Sequence, residues 1–292
     1  MSSFKEGYIE FRDYKTYYCI VGECEAGKTP LLTLHGGPGS GSKTLRDLDP
    51  LSASGRSIIY YDQLGAVKSE IPSAPELWKA ETWVEELLNL IDKLKLDSFH
   101  LFGHSWGGML ALQTYIEKKP KQVKSLVLAS TMASSDMWCK EGRRLAGLLP
   151  PEMRDAIFEA EESGVYEGDV YEKAVWEFYG RHLCNIKPMP KFILEGFEKP
   201  NESYLTAWGP SEFNCTGTLK GWDYRERLGE LKVPTLITSG LMDECTPWIA
   251  KNIHDGIPGS RWELFEHSSH LAHCEEKERY LSVLADFLAK HD

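Results

Sequence analysis

Ser105 stands in the run Gly103-His104-Ser105-Trp106-Gly107, a serine with a glycine two places before it and another two places after. This spacing satisfies G-x-S-x-G, the pattern of a serine carried on a sharp strand-to-helix turn with its hydroxyl aimed outward. Side chains at the two glycine positions would collide with neighbouring backbone, and the serine itself takes a strained conformation. Such a residue attacks a carbonyl carbon, and the attack needs a base, an acid that orients the base, and donors for the oxyanion. The pattern alone also arises by chance. It gains weight from "FHLFGHS", which reads as a strand before it, and "GGMLALQTYIEKK", which reads as a helix after it.

In the chain order of such sites the acid follows the serine and the histidine comes last. "FEHSSHLAH" supplies His267, His270 and His273 just after the last β-like run, and position alone does not choose among them. His35 and His104 lie inside the two glycine motifs and read as structural. "TLITSGLMDECTP" offers Asp243 and Glu244 at the end of an earlier strand; Asp62 in "YYDQLG" also ends a strand but precedes the serine and breaks the order. Two amides suit the oxyanion. Trp106 opens the helix after Ser105, where the positive end of the helix dipole points. Gly37 belongs to "HGGPG", directly after the β-like "LLTL", and a loop at that point supplies the second donor in folds built around such a serine.

These residues must be positioned by an alternation of elements. "PLLTLHG", "SIIYYDQ", "FHLFGHS", "SLVLAS", "TLITSG" and "RWELFE" are short, mostly apolar runs that fit strands buried on both faces of a largely parallel sheet. Between them lie helical patterns such as "ETWVEELLNLIDKLKL", whose Trp83, Val84, Leu87, Leu88, Ile91 and Leu94 recur at helical spacing. Strand and helix in alternation predict an α/β fold with right-handed crossovers. "GYIEFRDYKTYYCIVGE" alternates more like an antiparallel pair at a sheet edge. Residues 133–225 break the rhythm with helical and turn-rich stretches. They are expected to form a helical cap inserted between a core in two parts, 1–132 and 226–292, and to lie over the carboxyl ends of the strands, where ligands of open α/β sheets bind.

Composition narrows the partners. The 292 residues carry 33 Lys and Arg against 44 Asp and Glu, a net charge of −11, so the surface should repel polyanions and no nucleic-acid partner is expected. The charged N-terminus does not read as a secretory signal, and no apolar run reaches membrane-spanning length. Seven scattered cysteines without metal-ligand spacing read as free thiols of a cytoplasmic protein. "RHLC" and "HCEE" are weak as metal sites, and "HGGPGSGS" lacks the G-x-G-x-x-G spacing of a dinucleotide site, so no metal and no cofactor are expected. No sequence feature speaks to an oligomeric state.

"LLTLHGGPGS", "YYDQLG", "LFGHSWGGMLALQ", "AWGPSEF", "SGLMDECTP" and "EHSSHLAH" together, in this order, resemble the proline iminopeptidases, α/β hydrolases that include the tricorn-interacting aminopeptidase and related amino-acid amidases. The resemblance implies the α/β-hydrolase fold, a mostly parallel central sheet with helices on both faces and an inserted helical cap. It also implies Ser105 as nucleophile, His270 as base and Asp243 as the orienting acid, with His267 and His273 as structural or rim residues. Glu212 in "WGPSEF" and Glu244 would then bind the free α-ammonium of the substrate. An aminopeptidase must reward a cation at a fixed distance from the scissile carbonyl, and two carboxylates favour cationic over neutral ligands. Trp208, Tyr204 and Phe213 are candidates for an apolar wall around a small side chain, with plain cap core as the equal alternative.

The chain departs from the family pattern at Val67, where a glycine is expected after "YYDQLG". A β-branched residue does not readily take positive φ, so this loop is expected to be shaped differently. The function implied is cofactor-free release of an N-terminal residue, proline or another small or apolar one, from short peptides or amino-acid amides. A carboxylesterase or lactonase with the same triad is the alternative, and a catalytically silent receptor on the same scaffold is disfavoured by the intact set of Ser, His and acid. Aspartate-nucleophile chemistry is set aside because position 105 is serine.

Overall fold

The computed structural model describes residues 3–197 and 201–292. Met1 and Ser2, and Glu198, Lys199 and Pro200 before Asn201, lie outside the described residues. The chain begins with an antiparallel pair, β1 (Phe4–Phe11) and β2 (Tyr14–Val21), then enters the sheet at β3 (Leu31–Leu34) and β4 (Ile58–Tyr61). Helix α1 (Ala80–Lys93), β5 (Phe99–His104), α2 (Trp106–Lys118) and β6 (Val123–Ala129) follow in the expected alternation. Five helices come next: α3 (Ser135–Ala146), α4 (Pro151–Ser163), α5 (Asp169–His182), α6 (Lys191–Phe197) and α7 (Glu202–Ala207). The sheet resumes with β7 (Thr235–Gly240), α8 (Pro247–Gly256) and β8 (Arg261–Phe265), and the chain closes with α9 (Ala272–Glu275) and α10 (Lys277–Ala289).

Among the described residues the sheet has eight strands in the order β1-β2-β4-β3-β5-β6-β7-β8. β2 pairs antiparallel with both β1 and β4, so the antiparallel pair forms one edge, and every pairing from β4 to β8 is parallel. The buried parallel strands read as continuous apolar runs because each face has its own core. Leu32, Leu34, Ile59, Tyr61, Leu101, Leu126 and Leu128 join the cluster around α1 and α2, while Leu31, Ile58, Tyr60, Phe102 and Val127 join the one around α10. Period-two alternation thus divides the strand residues between the two layers. Each fully buried side chain of this size contributes about 1.5–3 kcal/mol. The helices between β6 and β7 hold a further cluster, in which Leu145, Leu149, Ile157, Phe178 and Phe213 are buried. No described helix is long and apolar enough to cross a membrane, and all seven cysteines are free.

Glu86 of α1 is 1% exposed beneath the loop after β4. Both its carboxyl oxygens accept from the Leu64 amide, at 2.9 and 3.1 Å, and one also accepts from the Thr16 hydroxyl. Burial pushes this carboxyl up to about 8, against the lowering effect of those bonds. The sign for stability follows. Between an unfolded pKa near about 4.3 and the folded value, the native state keeps a proton that the unfolded chain releases, so Glu86 contributes less stability as the pH rises. Wild-type stability relative to Glu86→Gln should therefore fall steadily between about pH 5 and pH 8, as urea midpoints measured across that range would report.

Candidate active site

The turn at Ser105 joins the end of β5 to the first residue of α2. Ser105 has φ 54° and ψ −124°, a left-handed backbone that a non-glycine residue seldom adopts. Its amide donates to the Ala129 carbonyl at 2.9 Å, and its carbonyl accepts from the Gly108 amide at 2.8 Å and the Thr131 hydroxyl at 2.6 Å. Close approach on both sides holds the turn. A Cβ on Gly103 would lie 2.3 Å from the Gly107 carbonyl oxygen, and one on Gly107 would lie 2.2 Å from that of Leu34. The glycines therefore let the elbow press against the end of β3, which carries the loop from His35 to Gly39.

His270 and Asp243 meet on the loops after β8 and β7. His270 Nδ1 lies 2.7 Å from Asp243 Oδ1, with Asp243 1% and His270 3% exposed. An ionised carboxylate can only accept, so the bond places the proton on Nδ1 and leaves Nε2 free to take another. Asp243 is itself fixed, its Oδ1 accepting from the Cys245 amide at 2.7 Å and its Oδ2 from that of Gly240 at 3.4 Å. The His182 carbonyl at the end of α5 accepts from the amides of both Glu244 and His270, each at 3.1 Å, so a single acceptor ties the acid loop to the base loop. His104 is buried and stacks edge-on against His270, with ring centroids 4.7 Å apart, and its Nε2 bonds the His270 carbonyl at 3.0 Å.

Ser105 opens into a narrow cleft. Gly37 and Trp106 line it beside the serine; Met109, Met132, Trp138, Trp208 and Leu219 supply apolar walls, and Glu212 is the ionisable residue of the lining. The amide of Trp106, at the first position of α2, has no acceptor within its own helix. Glu212 accepts from the Tyr204 hydroxyl at 2.7 Å, and its backbone carbonyl accepts from Trp138 Nε1 at 3.3 Å. Glu244 is 4% exposed and lies 3.9 Å from His270 Nε2; its second oxygen has no hydrogen-bond partner. Burial raises the pKa of both carboxyls, and for Glu244 the charges of Glu212 and Asp243 raise it further. Two buried carboxyls that repel each other, one with an unpaired oxygen, would gain from a cation placed between them.

The model of the α/β-hydrolase fold family matches residues 29–277. The proline iminopeptidase of Clostridium botulinum is 47% identical over 289 residues, covering 98% of this chain and 99% of that protein. The chain belongs to the proline iminopeptidase family of α/β hydrolases. Among solved structures, the proline iminopeptidase of Mycobacterium smegmatis superposes with a TM-score of 0.91 at 31% identity, covering 98% of each chain. The structure of VinJ superposes with a TM-score of 0.93 at 35% identity over 99% of each.

The structure gathers Ser105, Gly37, Trp106, Glu212 and Trp208 around one cleft, with the Asp243–His270 pair joined to it through Glu244 and Trp138. Of the other histidines, His273 is buried with Nε2 bonded to the Thr44 carbonyl at 3.0 Å, and His267 is exposed. Two residues named for the apolar wall are not among those lining the cleft. Phe213 packs edge-on against Phe178 in the cluster of the inserted helices, and Tyr204 spends its hydroxyl on Glu212 and is not among the residues lining the cleft.

The expectation at Val67 needs correcting. Val67 takes a positive φ of 24° with 62% of its surface in solvent, and a Cβ on Gly41 opposite would lie 2.5 Å from its Cγ2. The neighbouring glycine leaves the room that the valine occupies. The sequence reading did not find Trp138, Met109, Met132 or Leu219, which carry no local signal, and it weighed His182 only as part of a weak metal pattern. No group of three or more His, Cys, Asp or Glu residues is arranged to hold a metal among the described residues. Gly107→Ala should destabilise the fold by about 2–3 kcal/mol, because the added methyl meets rigid backbone. Gly180→Ala, in α5 with open space around it, should instead stabilise by about 0.5–1 kcal/mol, and urea denaturation separates the two.

Proposed function

We propose that this chain is a serine aminopeptidase that releases an N-terminal proline, or another small apolar residue, from short peptides or amino-acid amides. The observation that carries the reading is a pair of buried carboxyls that feel each other's charge: Glu212 lines the narrow cleft that holds Ser105, and Glu244 lies 3.9 Å from His270 Nε2. The names of its relatives agree with it. An α-ammonium held four ångströms from one carboxylate gains about 4 kcal/mol of Coulomb attraction at an effective dielectric near 20, before desolvation. That anchor fixes how far the first scissile carbonyl reaches. A peptide bond further along the chain cannot be presented to the serine while the amine is held.

Ser105 Oγ attacks that carbonyl as His270 Nε2 takes its proton, and Asp243 holds the opposite Nδ1–H and stabilises the imidazolium. The amides of Gly37 and Trp106 receive the oxyanion, and the imidazolium then protonates the leaving amine. Water, activated by the same histidine, releases the amino acid from the acyl-enzyme. These steps need only protein groups and water. Residues 133–225 form the cap, supported by the separate apolar cluster of the inserted helices and by the contribution of Trp208, Glu212 and Leu219 to the cleft. A cytoplasmic location fits seven unpaired thiols, and a charge of −11 disfavours nucleic acid as a partner.

A panel of aminoacyl p-nitroanilides tests the reading: prolyl and small apolar members should be cleaved and N-acetylated ones should not, and activity confined to acyl esters would overturn it. Glu212→Gln and Glu244→Gln should each lower kcat/KM for the anilides by about 10- to 100-fold, as expected for loss of a charged hydrogen bond. Turnover of p-nitrophenyl acetate should stay within about twofold in both variants. Ser105→Ala should abolish both activities and labelling by a fluorophosphonate.

A further inference from the structure

Gln63 has no part in the mechanism above, yet it is fully buried and its side chain bonds both segments that carry the proposed oxyanion donors. Its Nε2 donates to the His35 carbonyl at 3.1 Å, and its Oε1 accepts from the indole Nε1 of Trp106 at 2.8 Å. The Gln63 backbone amide also donates to His35 Nε2 at 3.0 Å. This last bond fixes the tautomer. With Nε2 as acceptor, His35 carries its proton on Nδ1 and donates it to the Gly36 carbonyl at 2.8 Å, and burial keeps the ring neutral.

The two amides in question belong to Gly37, two residues past His35, and to Trp106. They sit on separate elements, the loop after β3 and the start of α2, and no local backbone rule sets the distance between them. Oxyanion donors act only within about 2.7–3.1 Å of the developing charge. A misplacement of about 1 Å can lose 10²-fold in rate. Gln63 stands on a fixed base. The carbonyl of Leu64 accepts from Trp83 Nε1 at 3.0 Å, its amide donates to Glu86, and Trp83 packs edge-on against Trp106 at 5.1 Å. On the other side, Asp62 accepts from the amides of Ser42 at 2.7 Å and Lys68 at 3.0 Å.

We propose that Gln63 is a positioning residue that sets the spacing of the two oxyanion donors, acting through the His35 carbonyl on one side and the Trp106 indole on the other. The proposal rests on the serine-hydrolase reading of Ser105 but not on the choice of an amine substrate, because every acyl group attacked by Ser105 passes through the same oxyanion. Gln63 therefore acts on turnover and not on recognition of the ground state.

The test compares wild type with Gln63→Met, which keeps length and loses both side-chain bonds, and with Trp106→Phe, which loses only the indole donor. Prolyl p-nitroanilide, p-nitrophenyl acetate, the rate of fluorophosphonate labelling, and inhibition by a prolyl boronate and by free proline are measured on each folded protein. Gln63→Met should lower kcat on both substrates by about 10- to 100-fold with KM within about threefold. Labelling should slow with it. Boronate inhibition, which needs a tetrahedral adduct, should weaken in proportion while inhibition by free proline does not change.

A kcat within about twofold of wild type, or boronate and proline weakened equally, would overturn the proposal. If Gln63→Met does not fold, Trp106→Phe decides. A loss of about tenfold in kcat with KM unchanged supports the strut, and unchanged kcat overturns it. A wild type that is labelled by the fluorophosphonate but inert to prolyl anilide overturns the aminopeptidase reading instead; the labelling and acetate rates of the variants then decide the role of Gln63.

Discussion

The left-handed backbone at Ser105 is the constraint on which the other parts of the site depend. A serine at φ 54° between a buried strand and a buried helix is held there only if both neighbours can approach without side chains, and Gly103 and Gly107 let the Gly107 carbonyl and the end of β3 come that close. Because α2 must start immediately after the turn, its first amide has no acceptor within the helix. Because the elbow presses on β3, the loop after that strand lines the same cleft. Nucleophile position, helix terminus and glycine loop are in this sense one packing arrangement.

The second organising element is charge kept out of water. Asp243 is buried against two amides and the imidazole; Glu244 is buried with an oxygen that has no partner. An unsatisfied buried carboxyl is unfavourable, and the ammonium proposed to bind there would relieve that cost. Tyr204 and Trp138 hold Glu212 from the inserted helices, and the His182 carbonyl holds the Asp243 and His270 loops together from the end of α5. The inserted helices therefore support the proposed chemistry.

Much of this was legible because each strand carries its own local signal. The apolar runs and the glycine spacing around Ser105 are properties of short windows, and the observed strands fall within or close to those runs. The wall of the cleft was not legible in the same way. Met109, Met132 and Leu219 look like any core residue until distant elements converge, and Phe213, an aromatic in a motif, turned out to pack away from the cleft among the inserted helices. Val67 shows the limit of a rule based on residue type. The backbone accepts a β-branched residue at positive φ when the side chain is in solvent and its neighbour is Gly41.

By itself the sequence determined the alternating α/β architecture, the serine elbow and the residue types available for acid, base and ammonium binding, because periodicity and turn chemistry act over a few residues. Only the tertiary structure decided which histidine faces the acid, which buried carboxyls feel each other's charge, and that Gln63 bridges the His35 and Trp106 segments. Those facts depend on distances between residues far apart in the chain. Such distances are fixed by how layers pack and where loops end, and no window of sequence contains them.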